Sequence, residues 1–397
     1  MIAELNYQEF GEKRSVYLDY QASTPIDSTV LDSMWPYMLE EFGNPHSASH
    51  DYGRRAAAAI SIAQTQVADL VESAPEDVIF TSGATEANNQ VLRGLAKGWG
   101  TGKPRYLILS TEHPSVLEPA KVLAEEGQEL VQIRVTRDGL VDMEQLEAEL
   151  QSGPALVSVG AVNGEIGTIQ PLERISELCR FNGSLLHTDA SQAVGKVPLS
   201  FYKNGIDLLT LSGHKIYGPK GIGALVITPE IRRHLKPMIL GGGQQDGLRA
   251  GTLPTPLCVG LGTASRIALS CWQDEAERLS LHRDRLLKHL CVLTSDVEVN
   301  GSLSHRLPGN LNLRFTGVDA LQLISELPDL AISAGSACAS SNTKIRPSHV
   351  LQAIGLTDEE IRSSVRIGMG RFTVEQDLLF AANALARAVR RVRSEKI

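Results

Sequence analysis

A lysine at the end of an apolar segment is the first residue that suggests chemistry. Lys215 lies in LLTLSGHKIYGPKGIGAL, directly after Ser212, Gly213 and His214. An amine in a cleft at a strand end can form a Schiff base with an aldehyde cofactor, since burial and positive neighbours lower an amine's pKa and leave it uncharged. Most lysines are solvated surface residues, but this position predicts a covalent bond to pyridoxal phosphate.

Pyridoxal phosphate also needs an acid beside its pyridine nitrogen and a site for its phosphate. Asp189, in LLHTDASQAVG, follows another apolar segment and precedes Lys215 by 26 residues. In VIFTSGATEANN a predicted strand turns into a helix, so that the amides of Ala84 and Thr85 and the Thr85 hydroxyl can bind an anion. Alone, the aspartate could be a helix cap and the turn is a common one. Together with Lys215, they predict a cofactor site.

The five cysteines differ in their surroundings. Cys338 lies in SAGSACASSNTK, where small and polar residues can bury little, so we predict an exposed, nucleophilic thiol. The others lie among apolar residues and are predicted to be small buried hydrophobes: Cys179, Cys258, Cys271 and Cys291. An odd number of cysteines without a CxxC pair argues against a disulfide framework and against a cysteine zinc site.

Alternating strands and helices must position these residues. Between about residues 78 and 227 seven apolar segments are separated by helical patterns: DVIF, RYLILS, ELVQIRV, ALVSVGAV, SLLHTDA, DLLTLSG and GIGALVI. Strands that are apolar throughout are typical of a mostly parallel sheet with helices on both faces. A long helix is predicted over about 256–293. The segments VEVN, GNLNLRF, LAIS and SSVRIGM and a final helix from about Thr373 predict a second, smaller α+β domain.

Charge and hydropathy exclude several classes of protein. The 38 basic and 46 acidic side chains give a net charge of -8, which provides no global attraction to nucleic acid or anionic lipid. No segment approaches the roughly 18 apolar residues of a membrane span, and the first residues lack the apolar stretch of a signal peptide. We expect a cytoplasmic protein that binds neither membranes nor, directly, nucleic acid.

The motifs, taken together, resemble those of the fold-type I pyridoxal-phosphate enzymes (class-V aminotransferase family), and more closely the NifS/IscS-like cysteine desulfurases of the long-loop class. The resemblance runs through YLDYQASTP, FGNPHSASHDYGR, FTSGATEANN, STEHPSV, VNGEIG, HTDASQAVGK, SGHKIYGPKGIGAL, GGGQQDGLRAGTLP, SAGSACAS and SSVRIGMGRFT. It implies an α/β fold whose large domain, residues 26–272, contains a mostly parallel seven-stranded sheet. Residues 1–25 and 273–397 would form a small α+β domain carrying the catalytic loop of about 333–346.

The resemblance also implies a role for each matching residue at the cofactor. Lys215 would form the Schiff base, Asp189 would pair with the pyridine nitrogen, and Gln192 would bind the phenolic oxygen. His113 would stack on the ring and shuttle protons. The phosphate would be bound by Ala84, Thr85, Ser212 and His214, together with Thr252 from the partner subunit of a homodimer.

For the substrate, the resemblance implies a site for a carboxylate. Asn163, which also contacts the cofactor, and Arg366 are the residues that match it, and Arg371 is the nearest competitor of Arg366. Two neighbours depart from the family pattern, because Ala161 and Gly164 stand where this class often has His and Asn. ASTP likewise replaces ATTP near the amino terminus.

The implied activity is that of a cysteine desulfurase, a sulfurtransferase that converts L-cysteine to L-alanine. Lys215 would remove the α-proton, and Cys338, deprotonated with help from His113, would take the sulfur as a persulfide. An acceptor protein would then receive the sulfur for iron–sulfur cluster assembly, tRNA thiolation or DNA phosphorothioation. Three alternatives stay open: a selenocysteine lyase, an aminotransferase of the same fold, and an inactive scaffold that binds sulfur-assembly partners.

Overall fold

The computed structural model of the protein describes residues 15–98, 105–334 and 347–394. The strands in these ranges are β1 (Val16–Tyr17), β2 (Val78–Thr81), β3 (Arg105–Leu109), β4 (Glu129–Ile133), β5 (Ala155–Ser158), β6 (Leu185–Asp189), β7 (Leu208–Ser212), β8 (Gly223–Ile227), β9 (Val297–Val299), β10 (Asn310–Phe315), β11 (Leu330–Ala331), β12 (Ser333–Ala334) and β13 (Ser364–Gly368). The helices are α1 (Ser28–Leu39), α2 (Asp51–Val71), α3 (Ala84–Gly98), α4 (Pro114–Glu125), α5 (Met143–Gln151), α6 (Leu172–Phe181), α7 (Pro229–Arg232), α8 (Thr255–Leu293), α9 (Ala320–Ser325), α10 (His349–Ala353), α11 (Asp358–Arg362) and α12 (Glu375–Ser394).

Seven strands form the central sheet in the order β2-β8-β7-β6-β5-β3-β4. β4, β3, β5, β6 and β7 pair in parallel, and β8 is antiparallel to both of its neighbours, β7 and β2. The predicted mostly parallel seven-stranded sheet is therefore confirmed. Since β2 and β6 run in the same direction, the turn after β2 and Asp189 at the end of β6 lie at one edge of the sheet.

Helices cover both faces of this sheet, which explains why its central strands are apolar throughout. Successive residues of β2 illustrate this, because Ile79 and Phe80 point to opposite faces. Phe80 belongs to the hydrophobic core that contains Val67 of α2 and Leu261 of α8. Ile79 belongs to the core that contains Leu92 of α3. Polar groups of the sheet are consequently available at strand ends, where the loops begin.

A second sheet contains β12, β13, β10 and β9, which pair antiparallel in that order. β1, near the amino terminus, pairs in parallel with β11 beside it. The prediction of LAIS as one strand was wrong, because the chain changes strand partners at Ile332. β11 before this residue pairs with β1, whereas β12 after it pairs with β13.

α8 is one continuous helix of 39 residues and agrees with the long helix predicted from the sequence. It runs without a break across the boundary predicted between residues 272 and 273. Its amino-terminal part contributes Cys258 and Leu261 to the core beside the large sheet, and Leu286 and Leu290 pack into the core of the second sheet. The division into residues 26–272 on one side and 1–25 with 273–397 on the other stays a prediction.

One cysteine was assigned to the wrong environment. Cys179 and Cys258 are buried as predicted and Cys271 is partly exposed, but Cys291 is exposed on α8. The apolar run LCVL suggested burial, yet on a helix only the face of Leu286 and Leu290 turns to the core. Cys338 lies outside the described residues. Among the described helices, none combines the length and apolarity required to cross a membrane.

Candidate active site

A cavity of about 630 Å³ opens at the carboxyl-terminal edge of the central parallel strands. Ligands of open α/β sheets bind at this edge. Ten of the residues predicted for the site line the cavity: Ala84, Thr85, His113, Asn163, Asp189, Gln192, Ser212, His214, Lys215 and Arg366. Thr252 is exposed and does not line this cavity.

Lys215 reaches the cavity from a single 3-10 turn that follows β7. A side chain at Gly213 would place its Cβ 2.8 Å from the carbonyl oxygen of Pro219, so the tight turn requires glycine there. The Lys215 Nζ donates hydrogen bonds to the carbonyl oxygens of Gln21, at 2.6 Å, and Ala22, at 2.8 Å. The amine is thereby aimed at the segment between β1 and α1.

Asp189, the last residue of β6, is fixed by two donors. Asn88 Nδ2 donates to Asp189 Oδ2 at 2.8 Å, and the backbone N–H of Ser191 donates to Asp189 Oδ1 at 2.9 Å. Asn88 is fully buried on α3, and its Nδ2 also donates to Ser115 Oγ at 2.9 Å. Sequence analysis missed Asn88, although a polar residue between the buried Ala87 and Val91 of an amphipathic helix was a usable signal.

His113 is joined to the same network. It is the N-cap residue of α4, and its Nδ1 accepts a hydrogen bond from the backbone N–H of Ser115 at 3.1 Å. The Ser115 hydroxyl lies 2.8 Å from the same nitrogen. The ring is exposed to the cavity, yet desolvation by the walls lowers its pKa; positive charge on Lys215 and His349 acts in the same direction, and Asp189 opposes it. His113 is therefore held as a neutral ring.

The predicted phosphate site lies at the start of α3. Gly83 has φ +149°, and the space beside its Cα is open. Ser212, the last residue of β7, and His214 line the same cavity. Burial, with a smaller contribution from positive charge on Lys215 and Lys220, lowers the pKa of His214 to about 4. A neutral histidine, hydroxyl groups and free backbone amides form a donor set suited to an anion.

Gln192 is held at both ends of its amide. Gln192 Nε2 donates to the Gln21 carbonyl oxygen at 2.8 Å, and the half-buried Lys196 donates from Nζ to Gln192 Oε1 at 3.2 Å. Desolvation, together with positive charge on Lys215, lowers the pKa of Lys196 to about 7. These contacts leave one Gln192 amide hydrogen for a ligand. Sequence analysis missed Lys196, which follows Gln192 by four residues in QAVGK.

The departure at Gly164 gives Gln192 room. A side chain at Gly164 would place its Cβ 3.1 Å from Gln192 Nε2 and 3.3 Å from Gln192 Cγ. Asparagine, which this class often has here, would therefore press against Gln192. Next to it, Asn163 Oδ1 accepts from the backbone N–H groups of Glu165 and Ile166, and Asn163 Nδ2 donates to the Thr111 carbonyl oxygen. One Nδ2 hydrogen of Asn163 is left for a ligand.

Arg366 is a buried guanidinium in the middle of β13. Its Nη2 pairs with Asp19 Oδ1 at 2.8 Å and lies 3.3 Å from Ser333 Oγ, while Nη1 donates to the Gly164 carbonyl oxygen at 3.2 Å. Within the described residues, Arg366 Nε is buried without a hydrogen-bond partner. Arg366 lines the cavity, and the positive charge of its guanidinium suits a negatively charged ligand group.

Arg371, the competitor of Arg366, is engaged elsewhere. It pairs with Asp27 at 2.9 Å and with Glu275, and its guanidinium lies 4.1 Å from the centre of the Tyr217 ring. It does not line the 630 Å³ cavity. Of these two arginines, Arg366 alone faces the predicted substrate.

Glu112, another acidic residue that lines the cavity, also escaped sequence analysis. Its carboxyl accepts a hydrogen bond from the backbone N–H of Gly160 at 2.5 Å and is nearly inaccessible to solvent. Burial, together with the negative charge of Asp189, raises the pKa of Glu112 to about 8. Glu112 precedes His113 in STEHPSV, a motif in which only the histidine was predicted to belong to the site.

These residues fit pyridoxal phosphate. One cavity holds an amine for its aldehyde, a fixed carboxylate for its pyridine nitrogen, a neutral imidazole ring, and a helix start with hydroxyls for its phosphate. The cavity volume lies within the range of cofactor sites, roughly 300–1,000 Å³.

Comparison with known proteins agrees with this geometry. The sequence model of the family described as Aminotransferase class-V matches residues 16–379. The cysteine desulfurase IscS of Rickettsia prowazekii (strain Madrid E) is 43% identical over 95% of this chain and 92% of its own length. The corresponding enzyme of Rickettsia felis (strain ATCC VR-1525 / URRWXCal2) is 42% identical over 98% and 94%.

Solved structures give the same result. A NifS-like protein superposes with a TM-score of 0.87 at 31% identity, covering 95% of this chain and 99% of that one. SspA, solved in complex with cysteine, gives a TM-score of 0.78 at 36% identity, covering 91% and 100%. DndA from Streptomyces lividans gives 0.75 at 37% identity, covering 88% and 98%.

The chain therefore belongs to the class-V aminotransferase family of pyridoxal-phosphate-dependent enzymes, and within it to the cysteine desulfurases. The family, fold class, enzyme class and cofactor predicted from the sequence are confirmed. The roles of the individual site residues stay predictions.

Glu112 generates a testable pH dependence. Because its folded-state pKa is raised from 4.5 to about 8, ionisation of Glu112 increasingly penalises the folded state as pH rises through this interval. Glu112→Gln keeps an acceptor for the Gly160 N–H and removes this penalty. We expect the stability of the variant relative to wild type to increase between about pH 5 and pH 8, by at least about 1.4 kcal/mol, the equivalent of one pKa unit.

Thermal unfolding of both proteins at the two pH values measures this change. Glu147→Gln, at an exposed position on α5, is the matched control and should show a flat difference. A pH-independent difference for Glu112→Gln would show that Glu112 ionises as readily in the folded as in the unfolded chain.

Proposed function

We propose that this cysteine desulfurase converts L-cysteine to L-alanine and takes up the sulfur on Cys338 as a persulfide. The observation that carries the proposal is the single cavity in which Lys215, Asp189, His113 and Arg366 meet. The name shared by the curated relatives supports it, and so does the SspA structure in complex with cysteine. When bound, pyridoxal phosphate supplies an aldehyde for the substrate amine and a ring that withdraws electrons from its α-carbon.

The protein's own groups would hold the cofactor by charge and hydrogen bonding. Asp189, aligned by Asn88 and Ser191, is the partner of the pyridine nitrogen. The free amide hydrogen of Gln192 would bind the phenolic oxygen, and the His113 ring would stack on the cofactor. Ala84 and Thr85 at the start of α3, with Ser212 and His214, would hold the phosphate.

The substrate carboxylate binds between Arg366 and Asn163. Arg366, which lines the cavity, offers the charge of its guanidinium, and Asn163 offers its second Nδ2 hydrogen. With the carboxylate fixed there, the Lys215 amine is the group that removes the α-proton. The pairing of Arg366 with Asp19 holds the guanidinium in place before substrate arrives.

Sulfur transfer needs no external oxidant. The Cys338 thiolate forms an S–S bond with the substrate sulfur while the carbon–sulfur bond breaks, and the bonding electron pair stays with the three-carbon product. That product takes a proton at its β-carbon and leaves as alanine. The enzyme retains the persulfide, which it passes to a thiol of an acceptor protein.

Iron–sulfur cluster assembly is the proposed use of this sulfur, as the IscS name of the relatives suggests. tRNA thiolation and DNA phosphorothioation are the other uses of such an acceptor. We place the reaction in the cytoplasm, because a persulfide carrier works as a reduced thiol and the four described cysteines are all free.

A homodimer completes the proposed site. Thr252, assigned to the phosphate, lies outside the cavity of its own chain and is exposed, as a residue that reaches into a partner would be. α1 exposes Leu31, Trp35, Met38 and Leu39 at helical spacing along one face. An exposed apolar stripe of this kind is typical of a protein interface.

The central prediction concerns Cys338. Cys338→Ser should retain the yellow absorption band of the bound cofactor and lose formation of alanine and sulfide, because a hydroxyl cannot accept the sulfur. With sulfur-labelled L-cysteine, the label should reach a thiol-bearing acceptor protein from wild type alone. Cys291→Ser, at an exposed cysteine of α8, is the matched control and should leave the rate unchanged.

Two results would contradict this assignment. Continued desulfuration of cysteine by Cys338→Ser would exclude the thiol as sulfur acceptor and favour a selenocysteine lyase or an aminotransferase. Purified protein without visible absorbance, before and after addition of pyridoxal phosphate, would favour the scaffold.

Arg366→Lys tests the carboxylate site. Lysine lacks the planar fork that serves Asp19 and a ligand at once, so the KM for L-cysteine should rise roughly 10- to 100-fold, with a smaller change in kcat. Steady-state alanine formation measures both constants. Arg285→Lys, at an exposed ion pair with Glu375, is the control. An unchanged KM would remove Arg366 from the substrate site.

The homodimer predicts a mass in solution twice the 42.9 kDa of one chain. Leu39→Asp places a charge in the exposed stripe of α1 and should reduce both this mass and cofactor retention, since Thr252 then loses its partner site. Light scattering combined with absorbance measures the two together. A monomeric wild type that retains full activity would contradict the shared site.

A further inference from the structure

Sulfur transfer from cysteine requires a base for the thiol nucleophile, because the thiolate attacks and the thiol does not. A neutral imidazole has one nitrogen with a free lone pair, and hydrogen bonds decide which nitrogen that is. Two of the histidines that line the cavity, His113 and His349, lie beside Glu112. Hydrogen bonds place the proton of each neutral ring on Nε2, but they engage Nδ1 in His113 and Nε2 in His349.

His113 is fixed with its lone pair turned away from the reaction. The backbone N–H of Ser115 can only donate, so Nδ1 of His113 must be the acceptor of their 3.1 Å bond. The Ser115 hydroxyl accepts from Asn88 Nδ2, which leaves its own proton for the same Nδ1. The neutral His113 ring therefore carries its proton on Nε2. It presents the cavity with a donor.

The orientation of Asn88 is itself determined. Rotating the amide by a half turn would place an oxygen, instead of Nδ2, 2.8 Å from the carboxylate of Asp189. The observed orientation leaves Asn88 Oδ1 buried without a partner among the described residues, so the bond to Asp189 outweighs that cost. Through Asn88 and Ser115, the Asp189 carboxylate therefore also fixes the tautomer of His113.

In His349 the hydrogen bond engages the other ring nitrogen. Its Nε2 lies 2.9 Å from the backbone carbonyl oxygen of Glu112, and a carbonyl only accepts, so Nε2 carries the proton of the neutral ring. Nδ1 then holds the lone pair, and the described residues provide it with no hydrogen-bond donor. The ring is half-buried in the cavity wall, and its positive charge would lower the pKa of the nearby His113.

We propose that His349 Nδ1 is the proton acceptor for the thiol nucleophile, a role that the sequence had assigned to His113. The inference rests on the proposed desulfurase function. His349 follows Cys338 by eleven residues in the sequence. The thiol proton passes to Nδ1, the sulfur electron pair forms the S–S bond, and the electron pair of the broken carbon–sulfur bond is protonated at the β-carbon by the resulting imidazolium. Cysteine and enzyme thiol thus become alanine and enzyme persulfide.

Two substitutions in the holoenzyme separate the base from the hydrogen bond. His349→Gln keeps an N–H that can donate to the Glu112 carbonyl oxygen and removes the base. Persulfide formation on Cys338 in a single turnover should slow roughly 100-fold or more, while the cofactor band stays unchanged. His349→Ala should slow it similarly, and added imidazole should restore the rate in proportion to its concentration. His305→Gln, at an exposed histidine outside the cavity, is the matched control.

Each result decides the question. Slow turnover of His349→Gln together with imidazole rescue of His349→Ala supports the assignment. A wild-type rate for His349→Gln overturns it, and so does a slow His349→Ala that imidazole does not rescue, because the ring then has a structural role. If the wild-type holoenzyme forms no alanine from cysteine, the proposed function fails instead.

Discussion

The carboxylate of Asp189 is the interaction on which the rest of the site depends. It lies at the end of β6, where a parallel sheet delivers polar groups to one edge, and Asn88 and the Ser191 amide hold it in a fixed orientation. A charge in a cavity wall acts over several ångströms because little water screens it. The field of this carboxylate raises the pKa of Glu112. Because the carboxylate attracts a proton, it also opposes the lowering of the pKa of His113. Through Asn88 it also determines where the hydroxyl proton of Ser115 points.

The site leaves several buried polar atoms without partners, and their positions are informative. Asn88 Oδ1, Glu165 Oε1 and Arg366 Nε have none among the described residues. Each orphaned atom of this kind costs about 1–3 kcal/mol. The three belong to residues of the cavity wall or directly behind it, where the need for a fixed orientation offsets the cost.

Sequence reasoning found the residues that follow strands and missed those that support them. Lys215 and Asp189 could be predicted because an apolar strand before each fixes the sheet edge on which it lies. Asn88 could be recognised as a buried polar residue at most, since its role depends on a partner 101 positions away that only the packing of α3 against the sheet reveals. His349 was overlooked for a similar reason. Its contact is with a backbone carbonyl oxygen, and every residue has one, so the sequence does not indicate which of them is the partner. The error at Ile332 reflects a change of strand partner that leaves the apolar pattern intact.

The segment between β1 and α1 couples the two sheets to the chemistry. The Gln21 carbonyl oxygen accepts from both Lys215 and Gln192, and Asp19, two residues earlier, pairs with Arg366 on β13. The residue assigned to the cofactor and the residue assigned to the substrate carboxylate therefore contact the same short stretch of the chain. In the proposed mechanism Lys215 would exchange hydrogen bonds to this stretch for the cofactor, while Gln192 and Arg366 keep theirs. The segment would thus hold Arg366 in register with the cavity, as a reaction with a mobile amine and a fixed carboxylate requires.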